Sequence, residues 1–116
     1  MAVKRREVRS IVILSPKGRF YGDNETDELE KALMTEAAAG NRMLVLNMGE
    51  CDALNSVAIG VLMRGFANYK ARGGEIKLCA LGKRIKDLFT MTKLIMVFDH
   101  HDTEEQAIAA FVPATA

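Results

Sequence analysis

Met43-Leu44-Val45-Leu46 places four apolar side chains in succession with no polar alternation. A strand sends neighbouring side chains to opposite faces, so such a run suits a strand covered on both sides, as in a parallel sheet. The stretch Leu54-Asn55-Ser56-Val57-Ala58-Ile59-Gly60-Val61-Leu62 follows, a small polar opening that feeds into a helix. Strand, short connection and helix together form half of a crossover unit, which joins parallel strands with a right-handed connection.

The rest of the chain repeats this alternation. Val3, Val8, Ile11, Ile13 and Leu14 supply the apolar positions of two short strands, Ser15-Pro16-Lys17-Gly18 reads as a turn, and Arg19-Phe20-Tyr21 resumes an extended stretch. Asn24 is the expected N-cap of a first helix whose opening turn carries Glu25, Asp27 and Glu28, the sign that suits the helix dipole. Leu29, Ala32, Leu33 and Ala37 form its apolar face, and Gly40-Asn41 stops it.

The second helix is expected from about Ser56 to Ala71, ended by Gly73-Gly74. Ala58, Ile59, Val61, Leu62, Phe66 and Tyr69 share its core-facing stripe, whereas Val57, Gly60, Met63, Arg64 and Ala67 point outward. Ile76 to Leu81 reads as a second inner strand and Lys83 to Met91 as a short helix burying Ile85, Leu88 and Phe89. Ile95-Met96-Val97-Phe98 reads as a third inner strand. Thr103-Glu104-Glu105-Gln106 has the form of a capping box before a last helix with Ala107, Ile108 and Phe111 inward, and the tail 112–116 is expected to fray. The expected fold is therefore α/β, a mixed and mostly parallel sheet of about five strands with four helices, in the order ββαβαβαβα. All 116 residues form one expected domain, residues 1–116, large enough for a single core.

Composition excludes several classes of function. Sixteen basic and fifteen acidic residues leave a formal charge of +1, so no net field steers the chain to nucleic acid or to an anionic membrane. Lys4-Arg5-Arg6 falls on an expected edge strand, where charge blocks edge-to-edge pairing. No segment approaches the roughly 20 apolar residues of a membrane span, and no signal-peptide core opens the chain. The expected protein is soluble and cytoplasmic. Cys51 and Cys79 form no CxxC motif; Cys79 reads as a buried strand residue and Cys51 as an exposed loop residue.

Chemistry-bearing clusters are sparse. His100-His101 between Asp99 and Asp102 reads as a solvated loop after the last strand, since adjacent extended residues point apart rather than toward one ion. No Gly-rich phosphate loop and no nucleophile, base and acid set is present in the pattern, so neither a cofactor nor an enzymatic activity is expected.

The order of elements, together with Leu54 to Leu62, resembles the STAS domain family, typified by bacterial anti-sigma factor antagonists. Leu14 through Gly18-Arg19-Phe20 is similar to the family's early strand and glycine turn, and Leu44-Val45-Leu46-Asn47 to the strand that usually closes on Asp. Asn55-Ser56-Val57-Ala58-Ile59-Gly60 falls on the family signature Asp-Ser-Ser-Gly-Leu-Gly. Gly73-Gly74, Leu78 and Thr103 to Ala107 are also in register. The resemblance implies a protein that binds a partner-switching serine kinase of the anti-sigma type, which phosphorylates the second serine of the signature and so weakens the complex.

The departures from that signature carry the most information. Val57 occupies the position of the phosphorylated serine, Ser56 that of the first serine, Asn55 that of the Asp and Ala58 that of the glycine, while Asn47 replaces the strand-end Asp. Valine has no hydroxyl, so phosphoryl transfer to it is chemically impossible. A serine or asparagine here is also a good N-cap for the helix.

Three readings follow. In the first, the domain is non-catalytic and binds an anti-sigma-type kinase through Asp52, Asn55, Ser56, Val57, Gly60, Met63 and Arg64. Asn55 and Ser56 would set the loop and cap, Val57 and Met63 would supply apolar contact, and Gly60 would admit a partner backbone. In the second, Ser56 is the phosphoacceptor of a switch. In the third, the chain is a scaffold subunit that self-associates as a homo-oligomer.

Overall fold

The computed structural model describes residues 2–111; the expected frayed tail lies outside them. Strands β1 (Val3–Val8) and β2 (Ile11–Pro16) form an antiparallel hairpin, and a third short strand, β3 (Gly18–Phe20), leads to helix α1 (Asn24–Ala38). Then come β4 (Met43–Asn47), β5 (Cys51–Leu54), α2 (Ser56–Ala71), β6 (Glu75–Cys79) and α3 (Lys83–Met91). A 3₁₀ turn (Leu94–Met96), β7 (Asp99–His101) and α4 (Glu104–Phe111) complete the described residues.

The main sheet has five strands in the order β1-β2-β4-β6-β7, parallel except for the β1–β2 pair. Alternation along β4 explains its apolar run. Leu44 and Leu46 point into the larger core with residues of α1, α2 and α3, while Val45 points into a smaller core with Ile11, Ile13, Cys79 and α4's Ala107 and Ile108. Both faces are covered, as the run of four apolar residues requires.

The edge strand β1 is shielded by α1. The Val3 N–H donates to Glu28 Oε2 at 3.0 Å, and the Arg5 guanidinium holds Glu36 at 2.6 and 3.2 Å. Charge and a capped amide thus blunt an edge that would otherwise pair with another chain.

Four local expectations are corrected. The N-cap position of the first helix is Asp23, which makes no side-chain capping hydrogen bond, and Asn24 is the first helical residue. Cys51 is not exposed in a loop but buried in β5, and burial pushes its thiol up to about 11. The expected strand Ile95–Phe98 is instead the 3₁₀ turn, because Lys93 takes a left-handed φ of 63° and turns the chain there. Phe98 then drops into the core, its ring 4.8 Å from that of Phe66 and 6.0 Å from that of Phe89.

The last of the four concerns the histidines. They lie in strand β7, half-buried, rather than in a loop. A polar strand is stable there because Lys77 of β6, only 5% exposed, pairs with Asp99 and with Glu75 (3.0 Å) and lies 4.9 Å from the Phe111 ring. Among the described residues no group of three or more His, Cys, Asp or Glu could hold a metal ion. At the other end of β7, the capping box forms as the sequence suggests. The Gln106 N–H donates to Thr103 Oγ1, and Gln106 Oε1 accepts from the Thr103 N–H, both at 3.2 Å.

Candidate protein-binding site

A second ladder, absent from the sequence reading, positions the start of α2. Strands β3 and β5 pair in parallel, Phe20 opposite Leu54, outside the main sheet. The Asn55 N–H extends this pairing by donating to the Phe20 carbonyl at 3.1 Å. Asn55 is therefore held from behind while its side chain caps the helix, Oδ1 accepting from the Ala58 N–H at 3.1 Å. Of the two residues that could serve as cap, the structure uses Asn55.

With the cap supplied by Asn55, Ser56 is exposed on the first turn. Val57 is 53% exposed, one of six large apolar side chains at the surface of the described residues. Its inner flank meets the β3–α1 connection: a Cβ built on Gly22 would lie 3.2 Å from Val57 Cβ and Cγ1. Tyr21, half-exposed, precedes Gly22 on the same connection. The first turn of α2 has no acidic residue, so its N–H groups and dipole end carry no side-chain countercharge.

Farther along α2 the expected outward face is confirmed in part. Arg64 is exposed and reaches α1, donating to Glu30 Oε2 at 2.8 and 3.2 Å. Gly60 is half-buried beneath it, with an added Cβ only 3.5 Å from the guanidinium. Met63 does not stand free; it lies at the flank of the core stripe and packs against the main core. Asp52 is exposed on β5. The structure thus brings Asp52, Asn55, Ser56 and Val57 to one end of α2, extends the face through Gly60 to Arg64, and withdraws Met63.

Two residues that position this site escaped the sequence reading. Gly65 lets α2 approach α1, since a Cβ there would fall 2.9 Å from Leu33 Cδ1. Gly22 takes φ +91° and gives Val57 its seat. Asn47 has its own task. Its side chain accepts from the Gly49 N–H and donates to Glu104, both at 2.9 Å, a pairing with a carboxylate that an aspartate could not make at neutral pH.

A mixed five-stranded sheet, three helices on one face and one on the other, with a capped polar loop opening α2, defines a STAS-type α/β domain. The STAS domain profile matches residues 2–107, and the chain belongs to that family. A Bordetella bronchiseptica protein, BtrV, described as a candidate anti-sigma factor antagonist, is 27% identical over 88 residues, 76% of each chain. The structure of a candidate anti-sigma factor antagonist from Thermotoga maritima superposes with a TM-score of 0.86 at 19% identity, covering 93% of this chain and 92% of that one. The anti-sigma factor antagonist SpoIIAA in its unphosphorylated form gives 0.76 at 19% identity, covering 97% and 99%. No helix among the described residues is long and apolar enough to cross a membrane.

Proposed function

We propose that this domain is a non-catalytic, cytoplasmic binding protein of the anti-sigma factor antagonist type. Its partner is an anti-sigma factor of the serine-kinase class, engaged through Asp52, Asn55, Ser56, Val57, Gly60 and Arg64. The names of its relatives support an anti-sigma factor as the partner; the kinase type is what the sequence resemblance implies. One observation carries the rest: a half-exposed valine stands at the mouth of α2, at the position that the resemblance aligns with the family's phosphorylatable serine. A hydrocarbon there offers contact area and accepts no phosphate, so the domain stays in the binding-competent state.

The test is a titration against the anti-sigma-type kinase encoded nearest this gene, followed by intact-mass measurement after incubation with ATP. A complex at about micromolar concentration, with no mass gain, fits the reading. Absence of any complex between freshly purified proteins overturns it.

A second reading is favoured by a different observation. Asn55 does the capping, which leaves the Ser56 hydroxyl at an exposed position one residue away. A phosphate that appears with the kinase and vanishes in Ser56→Ala would establish the switch in place of the constitutive binder. Light scattering of the isolated chain addresses the remaining role, a self-associating scaffold subunit.

A further inference from the structure

Helix α3 breaks the electrostatic rule that α1 and α4 obey. Lys83, Arg84 and Lys86 crowd its first turn, no acidic residue accompanies them, and Gly82 supplies no side-chain cap. Each cation at a helix N-terminus opposes the dipole, and a local conflict that the fold does not relieve marks a surface kept for something else. Lys83 pairs with Asp87 at 2.9 Å, but among the described residues Arg84, Lys86 and Lys93 have no acidic partner within ion-pair distance. Residues 83–93 hold four cations and one carboxylate in a chain whose net charge is only +1.

Beside this charge lies apolar surface. Met91 and Met96 are each 83% exposed and Val97 42%, half of the exposed large apolar side chains among the described residues within one short segment. The 3₁₀ turn carrying Met96 packs back against α3. Ala53 and Leu54 of β5 with Arg84, Ile85, Leu88 and Met91 of α3 line a groove of about 280 Å³, joined by Asp87, whose charge is offset by its ion pair with Lys83. The flexible thioether of Met91 over an apolar floor, with the unpaired Arg84 in the lining and further unpaired cations on the same segment, forms a surface suited to an adaptable protein contact.

We propose that the α3 groove is a docking surface for an acidic protein segment carrying an apolar anchor side chain. Charge complementarity selects this occupant. A second copy would bring cations against cations. A bilayer is flat where the groove is concave, and the segment offers no Trp or Tyr of the kind that anchors interfacial helices. The groove adjoins the start of α2 through Ala53 and Leu54, yet this assignment stands independently of any kinase binding by Val57.

The probe is a helical peptide of glutamates with leucines at i, i+3, i+4 and i+7, titrated into the full ¹⁵N-labelled chain beside a copy with lysine for every glutamate. The acidic peptide should shift amide resonances of α3 and residues 94–97, and the basic copy should not. Arg84→Glu/Lys86→Glu and, separately, Met91→Asp should each weaken binding about tenfold while retaining the native circular dichroism spectrum, whereas Val57→Asp should leave it unchanged. No response, or equal response to both peptides, overturns the proposal. So does capture by phosphatidylserine-rich vesicles that the Arg84→Glu/Lys86→Glu variant escapes, or a homodimer in sedimentation velocity that Met91→Asp dissolves.

Discussion

Val57 rests its inner flank on the backbone of Gly22, so close that a methyl group added there would sit 3.2 Å from Val57 Cβ. The contact joins the β3–α1 connection to the first turn of α2, and it fixes which side of the valine faces solvent. Gly22 also holds φ +91°, which L side chains rarely adopt. Gly22→Ala is therefore expected to destabilise the domain by about 1–3 kcal/mol through strain and crowding together. In a double-mutant cycle by urea unfolding, Val57→Ala should recover the part of the crowding due to the two Cγ atoms and leave the Cβ contact and the backbone part. Strict additivity of the two changes would show that the contact carries no energy.

Asn55 caps α2 and is itself anchored by the Phe20 carbonyl. Asn55→Ala removes the side-chain acceptor and should cost about 1 kcal/mol. Asn55→Asp keeps the acceptor and adds the charge the dipole favours, so its stability should equal or exceed that of the parent. Thermal unfolding of the two variants side by side separates a cap from a partner contact: only the cap predicts opposite outcomes in the absence of any partner.

These two relationships differ in how far the sequence discloses them. The apolar run Met43–Leu46, the stripe of α2 and the Thr103–Gln106 capping box are periodic or local patterns, so the sheet, the four helices and an exposed Val57 were legible. The β3–β5 ladder was not, because Cys51-Asp52-Ala53-Leu54 has no β-branched residue and its partner lies some thirty positions earlier. Ile95–Phe98 misled for the converse reason. It has the composition of an inner strand, but a left-handed Lys93 and the aromatic pocket for Phe98 turn it into a 3₁₀ segment. The strand forms instead on Asp99-His100-His101, held by a lysine from another strand. Long-range pairing decided both cases, and so did the seating of Val57 on Gly22.

The β1–β2 hairpin turns through Arg9 and Ser10, with φ of 53° and 70°. Val8 pairs with Ile11, so the loop has two residues and both occupy the left-handed region, the geometry that Asn-Gly accommodates and most side chains resist. Arg9→Asn/Ser10→Gly should stabilise the domain by about 1 kcal/mol without altering its fold. An unchanged or lower melting temperature would mean that Arg9 makes a compensating contribution.

Acid stability should follow two carboxylates that link elements across the sheet. Burial alone would raise Asp99, but hydrogen bonding and charge from Lys77, with help from His101, hold its carboxyl below the ordinary range. Burial likewise opposes ionisation of Glu104, and the Arg6 and Asn47 hydrogen bonds outweigh it. The unfolded chain takes up these protons first as pH falls, so both groups contribute stability above the ordinary carboxylate range and lose it as pH drops through their lower folded values. Burial works against the charge on Lys77, whereas Asp99 and Glu75 raise its pKa overall, so its share is lost only above the ordinary lysine range. Urea midpoints measured from about pH 7 to about pH 3 should decline, and Asp99→Asn with Glu104→Gln should flatten that decline. Asn47→Asp should act in the opposite sense on Glu104, replacing an amide donor by a second carboxylate, so that variant is expected to be less stable at neutral pH and to recover on mild acidification. A decline as steep in the double variant as in the parent would place the acid sensitivity elsewhere in the molecule.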